Sequence, residues 1–474
     1  MHENWMYIPS IAYIYILIFH VDMDAESRVS MLLGDPRKAI VTMVIPIVLS
    51  LLVSEVNMLA DRAWCSGLGV EAVATISVVR PIYNVYVGLG TGLGVGAAAV
   101  ISRKIGASKA REASSCAVQA LIIALLFSIV FTPIMYLCQD GLIETVGSSD
   151  IHGSCITYMT TFTLCLTLIV VNGVIAGILN GQGAAGLSTA MMMTLAIGNM
   201  ILDPVLIYGL DMGIVGASLA TVLATVMSIL VGIRYLLGRR TYLSFGRSSI
   251  RMDGGHMREI GKAGIPQMLE FVVIYGMDAV LNMIIIICAG SEGLTIFSTP
   301  DAIVYIMVVP AIAIESALVA VASSAYGQGD VDRMRDAYVF SVKLGIGVIV
   351  GLVILVEIMP AVFMMPFTYT GDMADLKPQL TDTMRILALY APFFSMTPIC
   401  SAFLQAMRHP TYSVVLAIVR NLILIGLFWI AAGISLTAIC WFLVMGHVIG
   451  ATIVTAVTLL TYRGVRGSMS AQAA

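Results

Sequence analysis

Residues 100–112 read VISRKIGASKARE, and residues 321–333 read VASSAYGQGDVDR. The two stretches match in their small residues and their glycine, and each separates two long apolar runs. At the same offset of about 220 residues, Ile45-Pro46 recurs as Ile265-Pro266 and Gly213-Ile214 returns as Gly433-Ile434. Six apolar runs separate the copies, so both copies keep the same orientation. This is the mark of a parallel repeat, two halves related by an axis along the membrane normal. Such two-lobed molecules hold their substrate between the lobes and work by rocking one against the other.

The composition agrees with that frame. The chain is 59% hydrophobic and only 11% charged. Soluble domains carry roughly a quarter charged residues, so this chain lacks the means to cover a water-facing surface. Its apolar runs are mostly about 20 residues or longer, the length a helix needs to cross the hydrocarbon layer, and they lack the short alternating pattern of a β-barrel. Twelve runs are legible, near 40–66, 72–101, 115–138, 155–179, 187–210, 214–237, 264–288, 295–325, 338–364, 384–406, 411–432 and 436–461. They are called spans 1 to 12 below. The expected fold class is an all-α membrane protein, twelve transmembrane helices in two six-helix lobes about a pseudo-two-fold axis along the membrane normal.

The breaks between runs alternate in charge. One set carries Arg37 and Lys38, then Arg103, Lys104, Lys109 and Arg111, the basic stretch 239–262, Arg333 and Arg335, Arg408, and Arg463 and Arg466. The other set is nearly free of Lys and Arg. The positive-inside rule places both termini in the cytoplasm, and an even number of spans agrees by putting them on one side. The expected division is an N-terminal extension at 1–34, a first lobe at 35–237, a cytoplasmic linker at 238–262, a second lobe at 263–462 and a cytoplasmic tail at 463–474. Residues 6–21 are apolar but interrupted by Pro9, with no Lys or Arg before them. They are short for a span and lack the basic region of a signal peptide, which leaves an over-extended start, with translation from Met23, or an extra interfacial helix.

Several function classes find no support. A net charge of −3 offers no nucleic-acid surface. The eight cysteines are scattered without a Cys-x-x-Cys pair, and most fall in apolar runs, where cysteine acts as a small hydrophobe. The six histidines lie mostly in termini and loops, which argues against a membrane-embedded enzyme with metal ligands or a nucleophile–base pair. No catalytic residue and no cofactor is expected. The glycine run at 88–96 (GLGTGLGVG) resembles a phosphate loop only superficially. It lies inside span 2 rather than between a strand and a helix, so it reads as close helix packing. The thirty methionines fit either a soft binding surface or plain filling.

An ionisable group inside a span costs at least about 2.5 kcal/mol, so acids within spans are functional candidates. The first half holds Glu55, Asp61 and Asp203. Asp203 follows Asn199 by one helical turn and precedes Pro204, which weakens the backbone ladder. Carboxylate, amide oxygen and loosened carbonyls form a hard-oxygen set suited to a proton or small cation; a helix-end cap is the other reading. Asp61 lies beyond Pro46, a point where span 1 should bend. A static pair of Asp61 with Arg62 or Arg80 is its alternative. The second half holds Glu270, Asp278, Asp301 and Glu315. They line an inner cavity facing Arg420 on span 11, or they form a structural ion-pair network.

Taken together, LADRAWCSGLGVEAVA (59–74), GLGTGLGVGAAAVISRKIGASKAREA (88–113), GNMILDPVLIYGLDMGIVGASLAT (198–221) and GIPQMLE (264–270) make the chain resemble the multidrug and toxic compound extrusion (MATE) family, in particular its DinF-like branch. The resemblance runs from about residue 35 to 462. It implies a plasma-membrane antiporter that takes in H⁺ or Na⁺ while exporting an organic, cationic or amphipathic compound by alternating access. It implies that Asp61, Asn199, Asp203 and Thr221 bind the coupling cation, any bound Na⁺ sitting there, and that Pro46 bends span 1. Its partners are then the small-molecule substrate and the lipid bilayer, with the protein acting as a monomer. The acids of the family's other main branch have no clear match, since Glu270 stands close to Pro266. The family commonly has Thr after the span-1 aspartate and Asn three residues before it, where this chain has Arg62 and Met58. That leaves the coupling ion open, and the alternative function is a lipid or lipid-linked oligosaccharide flippase of the same superfamily.

Overall fold

The computed structural model describes residues 23–146, 151–238, 241–245, 252–368 and 375–473. The apolar segment at 6–21 lies outside the described residues. In hydrocarbon, backbone amides have no water to bond to and must be satisfied within helices. The described residues form helices and short turns, with no strand among them. Eleven helices are long and apolar enough to cross a bilayer: Pro36–Ser66, Glu71–Gly106, Ala110–Glu144, Ala185–Gly209, Gly213–Leu237, Gly254–Gly290, Glu292–Gln328, Val331–Ile358, Lys377–Ala406, Pro410–Ala432 and Leu436–Met469. A bent pair, His152–Leu164 and Leu166–Gly181, crosses at 51° between its parts and supplies span 4. Twelve spans in two lobes are therefore present.

The ends shift where proline intervenes. Span 9 stops at Ile358, and Pro360 opens a separate short helix, Pro360–Met364. Span 10 starts at Lys377 and runs in three pieces, Lys377–Ala388, Ala391–Phe394 and Met396–Ala406, with Pro392 at the first break. A proline lacks the amide donor that would continue the ladder. Span 1 runs as one helix through Pro46, whose missing N–H leaves the Thr42 carbonyl without its ladder partner. Span 5 ends in a π-helical turn, Val205–Gly209, directly after Asp203-Pro204. The last helix continues to Ala473.

The repeat is visible in the backbone. Gly69 and Gly290, at matching span junctions, both take positive φ, 104° and 67°. Ser108 and Gly329, at the same spacing within the two quoted loops, take 60° and 77°. Gly183 and Arg408 occupy the turns before spans 5 and 11, at 75° and 67°. Left-handed backbone suits glycine, so Ser108 and Arg408 hold that geometry because the turn requires it.

The glycine run of span 2 explains how the lobes meet. Gly88, Gly92 and Gly96 lie four apart on one face, where an added Cβ would strike Phe271, Met268 and Gly264 of span 7. Gly90 and Gly94 lie on another face, where a Cβ would strike Val170 and Gly173 of span 4. One face joins span 2 to its own lobe and the other joins it to the second lobe. Near its end, Gly106 abuts the Ser324 backbone, and Gly327 abuts that of Arg103. These close approaches between lobes fall in the half of span 2 nearest the linker. The ion pairs that bridge the lobes gather there too, with Arg103 at 3.6 Å and Lys104 at 3.3 Å from Glu259.

Candidate cation and substrate site

Asp203 and Asn199 project from one face of span 5 and are both buried, at 0% and 2% exposure. The Asn199 amide donates to Asp203 Oδ1 at 2.8 Å and, more weakly, to Thr221 Oγ1 on span 6 at 3.4 Å. Its oxygen accepts from the Asn57 amide on span 1 at 3.0 Å. Spans 1, 5 and 6 are thus tied by one polar chain with Asn199 at its centre. Two oxygens of that chain, Asp203 Oδ2 and Asn57 Oδ1, are buried without a partner. Buried polar atoms are almost always satisfied, and two unused hard oxygens fit a proton or a small cation. Asp203 does not cap a helix end, because the chain continues through the π-turn beyond it. Tyr208 in that turn donates to the Trp64 carbonyl and meets the Trp64 ring edge-on at 6.4 Å, holding the ends of spans 5 and 1 together.

Asp61 stands one turn from Asn57 on span 1, partly exposed. The Cys65 thiol faces its Oδ1 at 4.0 Å. The ion pairs among the described residues lie elsewhere, and Arg80 of span 2 and Arg62 act on Asp61 at longer range. Asp61 in turn lies within electrostatic reach of Asp203. Around it stand aromatic rings: Tyr83 sits 4.7 Å from Phe162, and Phe162 sits 5.1 Å edge-on to Tyr158. Both tyrosines are within reach of the Asp61 charge. Asp61 thus stands beside an aromatic cluster in which Tyr158 and Phe162 are buried in the core of the first lobe. Asp61, Asn199, Asp203 and Thr221 are brought to one region.

The second lobe holds a separate polar cluster. Ser401 donates to Glu270 Oε2 at 3.1 Å, with Ser413 at 2.9 Å from the Ser401 hydroxyl. Gln405 donates to Gln267 and, at 3.4 Å, to Ser401. Glu270, Ser401, Ser413 and Arg420 line one small cavity. The Arg420 guanidinium reaches the Asn421 side chain at 3.3 Å and lies over the Phe394 ring at 5.9 Å, while its Nη1 is buried without a partner. Glu270 and Asp278 act on Arg420 without a direct ion pair. Asp301 instead accepts from the Tyr390 hydroxyl at 2.8 Å. Glu315 lies within electrostatic reach of Glu270. Glu270, Asp278 and Arg420 thus come together, and Asp301, within electrostatic reach of Asp278, is joined to them through an aromatic group in which Tyr390 stacks on His447 at 4.9 Å and Phe394 meets both rings.

Sequence reading missed Asn57, although its spacing of one turn from Asp61 places both on one face. It also missed His447, which is buried within span 12. Ser401, Ser413 and Gln267 carried no signal, since short polar residues are common within spans.

A family model described as MatE matches residues 46–205 and 266–430. Among curated proteins, the chain is similar to "Multidrug export protein MepA" of Staphylococcus aureus, 26% identical over 393 residues, covering 79% of this chain and 82% of that protein. The alignment to the protein of the same name from Staphylococcus saprophyticus is 26% identical over 215 residues and spans about half of each, 44% of this chain and 47% of that protein. Among solved structures, one described as the outward-facing conformation of a multidrug resistance MATE family transporter superposes with a TM-score of 0.88 at 27% identity, covering 94% of this chain and 100% of that one.

Proposed function

The chain belongs to the MatE family, and from that membership we propose that it is a cation-coupled antiporter of the plasma membrane that exports small organic, cationic or amphipathic compounds by alternating access. The observation that carries the coupling is the contact chain Asn57–Asn199–Asp203, with its two buried, unpartnered oxygens. A proton on Asp203, or Na⁺ shared by Asp203, Asn57 and Thr221, uses those oxygens. Either event changes what Asn199 can donate to, and Asn199 is the link between span 1 and span 5. The two ends of span 1 differ in freedom, because Pro46 interrupts its backbone ladder. Cation binding then favours a position of span 1 in which Asp61 and the Tyr83 ring hold substrate less tightly. An ion gradient drives export only through such a difference in affinity between states.

The lobes touch backbone to backbone near the linker, and we infer that the cleft between them is reached from the opposite end. With the linker end in the cytoplasm, this arrangement releases substrate outward, and rocking at the span 2–span 7 seam reverses it.

The test is efflux of a cationic dye from proteoliposomes under separately imposed pH and Na⁺ gradients. One of the two should drive export in the native protein, and Asp203→Asn should abolish that response while the unfolding midpoint stays close to native. Unimpaired gradient-driven export by Asp203→Asn removes Asp203 from the coupling site. Indifference of the native protein to both gradients overturns the antiport reading.

A further inference from the structure

A second cavity, about 360 Å³, opens at the linker end, and none of the candidate acids within the spans lines it. Its charged and amide-bearing lining is Arg103 from span 2, Arg258, Glu259 and Lys262 from the start of span 7, Gln405 from the end of span 10, and Arg408 from the turn between spans 10 and 11. Four cations face one carboxylate. That carboxylate is already engaged, by Arg103 at 3.6 Å and by Lys104 at 3.3 Å. Arg258, Lys262 and Arg408 enter no ion pair among the described residues.

Basic side chains at one end of a membrane protein are ordinary, because loop residues on the cytoplasmic side favour them. Arg103 differs. Its side chain is 8% exposed, it lines the cavity, and its Nε is buried with no partner. Its Nη1 reaches only the Gln405 carbonyl, at 3.4 Å. A buried guanidinium edge left unsatisfied, beside three exposed cations that enter no ion pair, is a donor set without its acceptor. The acceptor that suits it is a compact anion with several oxygens, since guanidinium groups bind phosphate through paired N–H donors. The volume falls in the range of small-molecule sites.

We propose that this cavity is a binding site for a phosphate group, held by Arg103, Arg258, Lys262 and Arg408. The phosphate is either free in solution or carried as a phosphomonoester lipid headgroup; the recognition chemistry is the same. Arg103 belongs to the first lobe and the other three to the second, so the bound anion bridges the lobes. It replaces mutual repulsion of four cations with attraction and steadies the arrangement in which the linker ends touch. The site stands apart from the transport reading and is tested by binding alone.

Full-length protein in phosphatidylcholine nanodiscs is titrated with inorganic phosphate at constant ionic strength, and the unfolding midpoint is followed. In parallel, native mass spectrometry counts lipids retained from nanodiscs containing phosphatidic acid. A saturable rise with phosphate identifies a free anion, and retention of one phosphatidic acid identifies a headgroup. In either arm Lys262→Gln should weaken binding about tenfold, as expected for one charge-assisted contact. Arg408→Lys, which keeps the charge, should retain most of it. Arg463→Gln, at the same end but outside the cavity, should leave it unchanged. The proposal is overturned if neither arm shows saturable binding, or if Lys262→Gln and Arg463→Gln behave alike.

Discussion

Asn199 uses its side chain three times, giving to Asp203 and Thr221 and accepting from Asn57. Its partners come from three helices, which is why only part of the set was legible beforehand. Asn199 and Asp203 are one turn apart on one helix, so their meeting follows from helical spacing. Asn57 reaches Asn199 across a helix contact, and no spacing within span 1 announces that. The same limit applies to Arg420, which sequence places inside a span with four acids available. In the structure it settles on Asn421 and the Phe394 ring, with Glu270 and Asp278 only nearby. At this scale Asn57→Ala is the informative change. It removes one net hydrogen bond, about 1 kcal/mol, and should leave the unfolding midpoint within a few degrees of native. Cation-driven dye export should nevertheless fall several-fold, because the link between spans 1 and 5 is lost. Export at the native rate would show that Asn57 is a structural contact only.

At the scale of the element, span 2 is the helix that sequence described best and explained least. Its glycine run was legible as close packing, since glycine at every second position serves no other purpose in an apolar helix. Which partner each face met was not. Positions four apart share a face, so Gly88, Gly92 and Gly96 meet the second lobe while Gly90 and Gly94 meet span 4. A methyl group at Gly96 would land on the Gly264 backbone, which cannot move as a side chain end would. Overpacking of this kind costs about 1–3 kcal/mol. Gly96→Ala should therefore part the linker ends and shift the lobes toward opening there, read as a longer distance between spin labels at Ala107 and Gln328. Gly276→Ala, where a Cβ meets open space, should leave that distance unchanged. Equal behaviour of the two variants would mean the seam does not govern closure.

For the whole molecule, closure near the linker rests on the glycine seam and on charges that cross between lobes. Glu259 of the second lobe answers both Arg103 and Lys104 of the first. Glu259→Gln leaves two cations facing Arg258, Lys262 and Arg408 with nothing between them. A partly buried pair of this kind contributes about 1 kcal/mol, so the open population should rise roughly fivefold. The same spin-label pair measures it. Glu357→Gln, which breaks a pair with Arg385 inside the second lobe, should not change the distribution. An unchanged distribution in Glu259→Gln would assign closure to the glycine seam alone.

What sequence alone determined was the class, the twelve spans and the repeat. Those rest on chain length against bilayer thickness and on amides that must bond within their own helix, both local matters. Turn geometry is local too, so positive φ recurs at Gly69 and Gly290 and at Ser108 and Gly329. Tertiary structure alone decided the rest: which glycine face met which lobe, that Asn57 closed the Asn199 chain, and that Arg103 was buried facing three further cations. Each of these depends on how one helix is rotated against another. That rotation is set by packing summed over a whole interface, and no single residue or spacing records it.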